Sequence, residues 1–325
     1  MPSKDNIIRM LNEYRYKPTG ISAEDHYQKW LNQFSSIDHD AITEVLNHIL
    51  SINYYSEQRY GDEINKLVQL MNPIDPKTKT GWAETCLLCP DTKGKSQLEI
   101  KEKLEAILSA YGMETCKDPS NCKRYLYLDD FSFTGERLYN DMWDCYTKNL
   151  IDKTKKVYCY FFAVHTKNIR NDFLKKRIKA EFQIDVEIRY SRILKNTFSE
   201  SKESEVLWPT IDVYNKYNTA KLNAIFQSNF RGPLTNTTNL FCNVDIRTKC
   251  EELFFLKGCP FNRSYWSPMG GKCNQAGYLG FGATIFSYRN ASNALPLVFW
   301  WGDYSGQKEW YPLIRRYDYS QQSIL

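Results

Sequence analysis

The chain has 325 residues, 42% hydrophobic and 25% charged, with a net charge of +5. This is ordinary globular composition with room for about two domains, and too weakly basic to imply direct nucleic-acid binding, so nucleic acid enters only indirectly. No run approaches the ~18 apolar residues of a membrane span. The start, Met1-Pro2-Ser3-Lys4, lacks the apolar core of a signal peptide, so the expectation is a cytoplasmic protein with no membrane partner. The ten cysteines, spread from Cys86 to Cys273, then read as free thiols rather than disulfides.

Residues 1–78 read as a helical region. Ser22-Ala-Glu-Asp25 resembles a capping box, and Tyr27, Trp30, Leu31 and Phe34 follow at helical spacing. A second helix starts near Asp40, with Ile42, Val45, Leu46, Ile49 and Leu50 on one face, and a third spans Gly61 to Met71. Pro73 and Pro76 end the region.

From residue 79 to 198 the pattern alternates. Strands are predicted over Trp82 to Leu88, Arg124 to Leu128, Lys156 to Val164 and Asp185 to Tyr190. Helices are predicted over Leu98 to Tyr111, Glu136 to Leu150 and Asn168 to Phe182. The near-continuous apolar run of Lys156 to Val164 is what a strand buried on both faces requires. The alternation predicts an α/β fold with a parallel sheet. Ser199 to Glu205 reads as a polar surface linker and Asp212 to Phe226 as a helix. Residues 199–325 form the third region, an aromatic-rich C-terminal hood or subdomain.

The chemistry-bearing segment is the strand Arg124 to Leu128, then Asp129-Asp130-Phe131-Ser132-Phe133-Thr134-Gly135, then the helix opening at Glu136. A parallel strand ends at the ligand crevice of its sheet. Two carboxylates there can accept hydrogen bonds from the cis hydroxyls of a ribose. The turn and the helix N-terminus make an anion pocket, Thr134 adds a hydroxyl, and Gly135 lets the backbone approach closely. The alternative is an acidic pair that caps the helix.

This segment resembles the fingerprint of type I phosphoribosyltransferases, which bind phosphoribosyl pyrophosphate. The resemblance implies a phosphoribosyltransferase-like core with Mg²⁺ as cofactor and a nucleotide or phosphoribosyl pyrophosphate as ligand. It places the candidate catalytic residues Asp129 and Asp130 on the ribose hydroxyls. It places Phe131, Ser132, Phe133, Thr134, Gly135, Glu136 and Arg137 around the 5′-phosphate. Glu136 and Arg137 replace the small residues usual there; Arg137 can clamp a phosphate, whereas Glu136 must point away or cap the helix. Phe133 stands where purine-salvage members often carry an acid, and a phenyl ring offers stacking but no proton chemistry. Lys93-Gly94-Lys95-Ser96 fits a pyrophosphate-side loop or, equally, a solvated surface loop; Cys89 stands where a P-loop would need its first glycine, so a Walker A motif is rejected.

Other constellations compete. Cys86 and Cys89 form a C-x-x-C pair with Cys116 and Cys122 downstream; buried thiols are favoured over zinc, and no metal ligand is assigned. His165 ends the strand after the fingerprint and reads as a satisfied strand-end histidine. The series Gly280-Phe-Gly282, Asn290, Asn293, Pro296, Trp300-Trp301 and Trp310-Tyr-Pro-Leu313 reads as packing, with a base-holding wall as the alternative. Arg315 and Arg316 default to solvent. This ending resembles that of phosphoribosyltransferase-like proteins of bacterial conflict and anti-phage operons, including retron systems. That resemblance implies a defence effector working with proteins of its own operon. The alternative is a catalytically inactive sensing or assembly subunit.

Overall fold

A computed structural model describes residues 2–71, 80–90, 95–166, 172–196, 204–217, 240–241, 243–262, 273–306, 308 and 310–317. The described residues divide into two compact units, one of residues 2–57 with those from Lys195 to Tyr317 and the other of those from Gln58 to Leu194. In the first, α1 (Asp5–Glu13), α2 (Ala23–Leu31) and α3 (His39–Asn53) lead into the short strand β1 (Tyr54–Tyr55). The second holds α4 (Glu57–Met71, save its first residue), α5 (Thr80–Ala83), β2 (Thr85–Leu88), α6 (Lys95–Ala110), β3 (Arg124–Ser132), α7 (Glu136–Thr147), β4 (Lys156–His165), α8 (Phe173–Phe182) and β5 (Val186–Leu194). The chain then returns to the first unit with α9 (Ile211–Tyr217), α10 (Val244–Gly258), β6 (Cys273–Asn274), β7 (Gly277–Tyr278), β8 (Phe286–Ser287) and α11 (Leu297–Trp300).

The second unit is an α/β layer. Its four strands pair in parallel in the order β2-β3-β4-β5. One sheet face carries Tyr125, Tyr127, Val157, Cys159 and Phe161, packed on Leu138, Met142 and Cys145 of α7 and on Leu174, Ile178 and Phe182 of α8. Alternation along each strand sends the intervening side chains to the opposite face. There Tyr60 of α4 meets Phe162 edge-on at 4.9 Å, and the Tyr160 hydroxyl bonds Ser191 Oγ at 2.5 Å.

Several boundaries differ from the sequence reading. Trp82 lies in the short helix α5 rather than in a strand, because the Thr85 hydroxyl closes a turn onto Gly81 O at 2.6 Å and the strand starts only after it. The strand β3 runs on through Ser132, past its expected end, because Phe131 and Ser132 keep their register with Ala163 and Val164 of β4. The helix α4 starts before Gly61 and so includes Tyr60. The helix α7 stops at Thr147, short of Leu150, and Asn149 takes a left-handed φ of 52°. Ser204 is buried rather than part of a surface linker, its carbonyl taken by Arg247 at 2.8 Å; the rest of the predicted linker, 199–203, lies outside the described residues except Glu205. Residues 167–171 and 218–226, parts of two expected helices, also lie outside them.

The first unit packs its aromatic C-terminal segment on its own helices. Ser22 caps α2 as expected, accepting the Asp25 N–H at 3.0 Å. Trp30 donates its indole N–H to Val298 O at 2.9 Å, and Trp310 donates to the same carbonyl at 2.8 Å. Trp300 is buried and donates to Leu295 O at 2.9 Å, so this half of the tryptophan pair is packing, not a base wall. Asn290 holds Tyr317 by both backbone groups, and Arg316 donates to Ala291 O. Arg247 and Glu251 of α10 form a wholly buried ion pair at 2.8 Å, tolerable because the guanidinium also donates to Ser204 O and Val206 O.

Gly302 marks the tightest approach in this unit. Its φ is +109°, and an added Cβ would fall 2.0 Å from Trp310 O. G302A is therefore expected to cost about 2–4 kcal/mol of stability, read from chemical denaturation.

Candidate functional site

The candidate site lies wholly within the second unit, at the carboxyl end of β3. The two acids are consecutive on a strand, so their side chains leave from opposite faces. Asp130 turns toward α4, where the Tyr60 hydroxyl donates to its Oδ2 at 2.9 Å. Asp129 turns toward α6 and α7 and is only 7% exposed. Each carboxylate also folds back on the next backbone amide: Asp130 N–H donates to Asp129 Oδ1 at 3.0 Å, and Phe131 N–H to Asp130 Oδ1 at 2.9 Å. Neither caps the helix; the N-cap of α7 is Gly135.

Gly135 has a φ of +75°, in the left-handed region that a side chain would strain. That conformation turns the chain sharply from the loop into α7. Thr134 Oγ1 accepts the Glu136 N–H at 3.0 Å, which leaves its hydroxyl proton to be donated elsewhere. Glu136 is exposed in the first helical turn, where its charge suits the positive end of the helix dipole. Arg137 is held through Nε on Asp141 Oδ2 at 2.8 Å. Ser132 is buried, while Phe131 and Phe133 are half-buried with ring centroids 6.5 Å apart.

Of the Lys93 to Ser96 segment, Lys93 and Gly94 lie outside the described residues. Lys95 opens α6, and Ser96 in the same turn reaches Asp129 Oδ1 at 3.4 Å. The structure thus brings Ser96 to the acid pair across a 33-residue separation.

Four residues of the site escaped the sequence reading: Asp141, Gln97, Tyr60 and Tyr127. Asp141 is buried and its Oδ2 accepts from Tyr127 at 2.7 Å, from Gln97 at 3.0 Å and from Arg137. A carboxylate among Leu138, Met142 and Cys145, on the apolar face of α7, is the signal that could have found it. Tyr60 shares the apolar stripe of Ile64, Leu67 and Val68 and carried no separate mark. Tyr127 looks like one more core aromatic until its hydroxyl is seen between Asp141 and Asp129 Oδ2, the latter at 3.5 Å.

Burial pushes the Asp129 carboxyl well above the usual carboxylate range, and the neighbouring charge of Asp130 raises it further. Arg137 opposes this and Asp141 adds to it. Burial likewise raises the Tyr127 phenol, reinforced by Asp129 and Asp141. Burial, with Cys122 and Cys116 nearby, pushes the Cys86 thiol up to about 11. Among the described residues, no group of three or more His, Cys, Asp or Glu is arranged to hold a metal ion. His165 is buried at the end of β4. No helix among the described residues is long and apolar enough to cross a membrane.

The raised Asp129 carboxyl has a stability consequence. The folded chain holds this proton more tightly than the unfolded chain, so stability is lost as pH rises from the ordinary aspartate range through the folded value. D129N, which cannot ionise, is expected to melt above wild type at pH 8. The difference should shrink as pH falls toward 4, about the ordinary aspartate value, in thermal melts across that range.

Compared with the curated proteins and with the solved structures, the chain matches none. A protein-family model described as PRTase-CE matches residues 27–316, which takes in both units and the whole candidate site. With a parallel α/β sheet and an acid-bearing strand that turns through Gly135 into a helix, the chain belongs to the phosphoribosyltransferase-like PRTase-CE family.

Proposed function

We propose that the carboxyl end of β3 and the turn into α7 bind phosphoribosyl pyrophosphate or a related nucleotide, and that the protein acts at the ligand's anomeric carbon. The observation that carries this reading is the acid pair Asp129-Asp130 ending a parallel strand, followed at once by the left-handed Gly135 that opens α7. In this reading the 5′-phosphate sits at the N-terminus of α7. The Thr134 hydroxyl and the backbone amides of the turn donate to it, and the helix dipole favours its charge. The ribose lies end-on across β3, with its two hydroxyls on Asp129 and Asp130. The basic segment Lys93 to Ser96 serves the diphosphate.

The bond broken is that between the anomeric carbon and the diphosphate oxygen. Pyrophosphate leaves with the electron pair, and a base nitrogen, another nucleophile or water takes its place. Such a centre develops positive charge, which an ionised carboxylate of the acid pair stabilises electrostatically; the raised Asp129 carboxyl contributes only once it has lost its proton. The oxygen-rich donor set at β3 and the ligand's own diphosphate suit a hard cation such as Mg²⁺, which supplies neutralisation of the leaving group when bound. The biological setting proposed is an effector of a bacterial defence system, of the retron kind, acting with proteins of the same operon.

A second reading, a sensor that binds the ligand without turnover, is favoured by two observations. Phe133 offers a ring where proton chemistry would need an acid, and Asp130 Oδ2 already accepts from Tyr60. Calorimetry with phosphoribosyl pyrophosphate, paired with a pyrophosphate-release assay, separates the two: heat of binding without release selects the sensor. For either reading, the double variant D129N/D130N is expected to lose ligand binding. For the effector reading it also loses any growth inhibition on expression. Toxicity that persists undiminished in the double variant would sink the effector reading.

A further inference from the structure

Asp141 lies outside the strand–turn–helix segment, yet its carboxylate joins the segments that flank it. Gln97 stands beside Ser96 in the first turn of α6, Tyr127 precedes Asp129 by two residues on β3, and Arg137 closes the phosphate turn. All three donate to one oxygen, Asp141 Oδ2, at 3.0, 2.7 and 2.8 Å. The acceptor is 5% exposed, and Gln97 and Tyr127 are buried with it. A buried carboxylate is costly, and an apolar side chain of similar size would often pack as well without the cost. What the polar cluster adds is position. Binding Arg137 through Nε fixes the plane of the guanidinium at the mouth of the turn. Binding Gln97 fixes the first turn of α6 against the acid strand.

We propose that Asp141 is a positioning residue: it registers α6, β3 and Arg137 of α7 into one preformed arrangement for a ligand that carries both phosphate and ribose. This rests on the ribose-phosphate reading given above. The groups facing Asp129 are Ser96 from α6, Tyr127 and Asp130 from β3, and Arg137 and Asp141 from α7. Removing the Asp141 charge therefore also removes one of the charges that disfavour ionisation of Asp129, while burial and Asp130 still oppose Arg137.

The test uses the full chain and two readouts. Calorimetry with phosphoribosyl pyrophosphate and Mg²⁺ compares wild type with D141N, which is expected to bind about tenfold or more weakly because the charge-assisted bonds from Arg137, Tyr127 and Gln97 lose their charged acceptor. Carboxyl-carbon NMR follows the titration of Asp129, whose midpoint is expected to move to lower pH in D141N. A purely structural Asp141 would lower the stability of D141N while its folded fraction bound the ligand with wild-type affinity. Binding within about twofold of wild type overturns the proposal whether or not the midpoint moves. If D141N does not fold, Y127F, which keeps the ring, carries the same expectation of weakened binding, and unchanged affinity there also overturns it. If wild type itself binds no phosphoribosyl pyrophosphate, the ribose-phosphate reading fails. The NMR midpoint then still decides whether Asp141 controls Asp129.

Discussion

Carboxylates are costly to bury, by several kcal/mol each unless they are paired or neutralised. The end of β3 nonetheless gathers Asp129 and Asp141 under low exposure, with Asp130 beside them. The cost is met in two ways. Asp141 is supplied with three donors, one of them cationic. Asp129 keeps its proton to higher pH. This cluster ties α6 and α7 to β3 at the point where a parallel sheet offers its ligand crevice. The orientation of Arg137 follows from it. In the proposed reading this arrangement is preformed, so a ligand would not have to order it on binding.

The opposite faces of β3 carry different duties. The Asp129 face is shared with the apolar core under α7 and α8, so its chemistry is enclosed and sensitive to dielectric. The Asp130 face meets α4 through Tyr60, whose ring also packs on Phe162. An element that reads as part of an N-terminal helical region thus supplies a hydrogen bond to the acid pair. The first unit, by contrast, spends its aromatic residues on packing, as the indole N–H groups of Trp30, Trp300 and Trp310 all end on backbone carbonyls.

Much of the α/β layer was legible in the sequence, for a physical reason. Buried parallel strands are near-continuous apolar runs and their helices carry a periodic apolar face, so β3, β4, α6 and α7 announce themselves locally. The acid pair and Thr134-Gly135 were legible as a candidate site because a ribose-phosphate pocket would need those residue types at that spacing. What was not legible is whatever depends on contacts between distant segments. Tyr127 and Gln97 resemble ordinary interior residues, and only their meeting on Asp141 distinguishes them. The return of residues beyond Lys195 to the helices before Glu57 likewise leaves no local trace. Trp82 misled because an apolar run beside a strand does not reveal that the Thr85 side chain closes a turn on Gly81.

The central claim is that the end of β3 and the start of α7 form a ribose-phosphate pocket. A crystal structure of the protein grown with phosphoribosyl pyrophosphate and Mg²⁺ tests it most directly. The account predicts the 5′-phosphate against Ser132 to Arg137 and the ribose hydroxyls within hydrogen-bond reach of Asp129 and Asp130. A ligand bound elsewhere on the chain, with the turn at Gly135 empty, would contradict it.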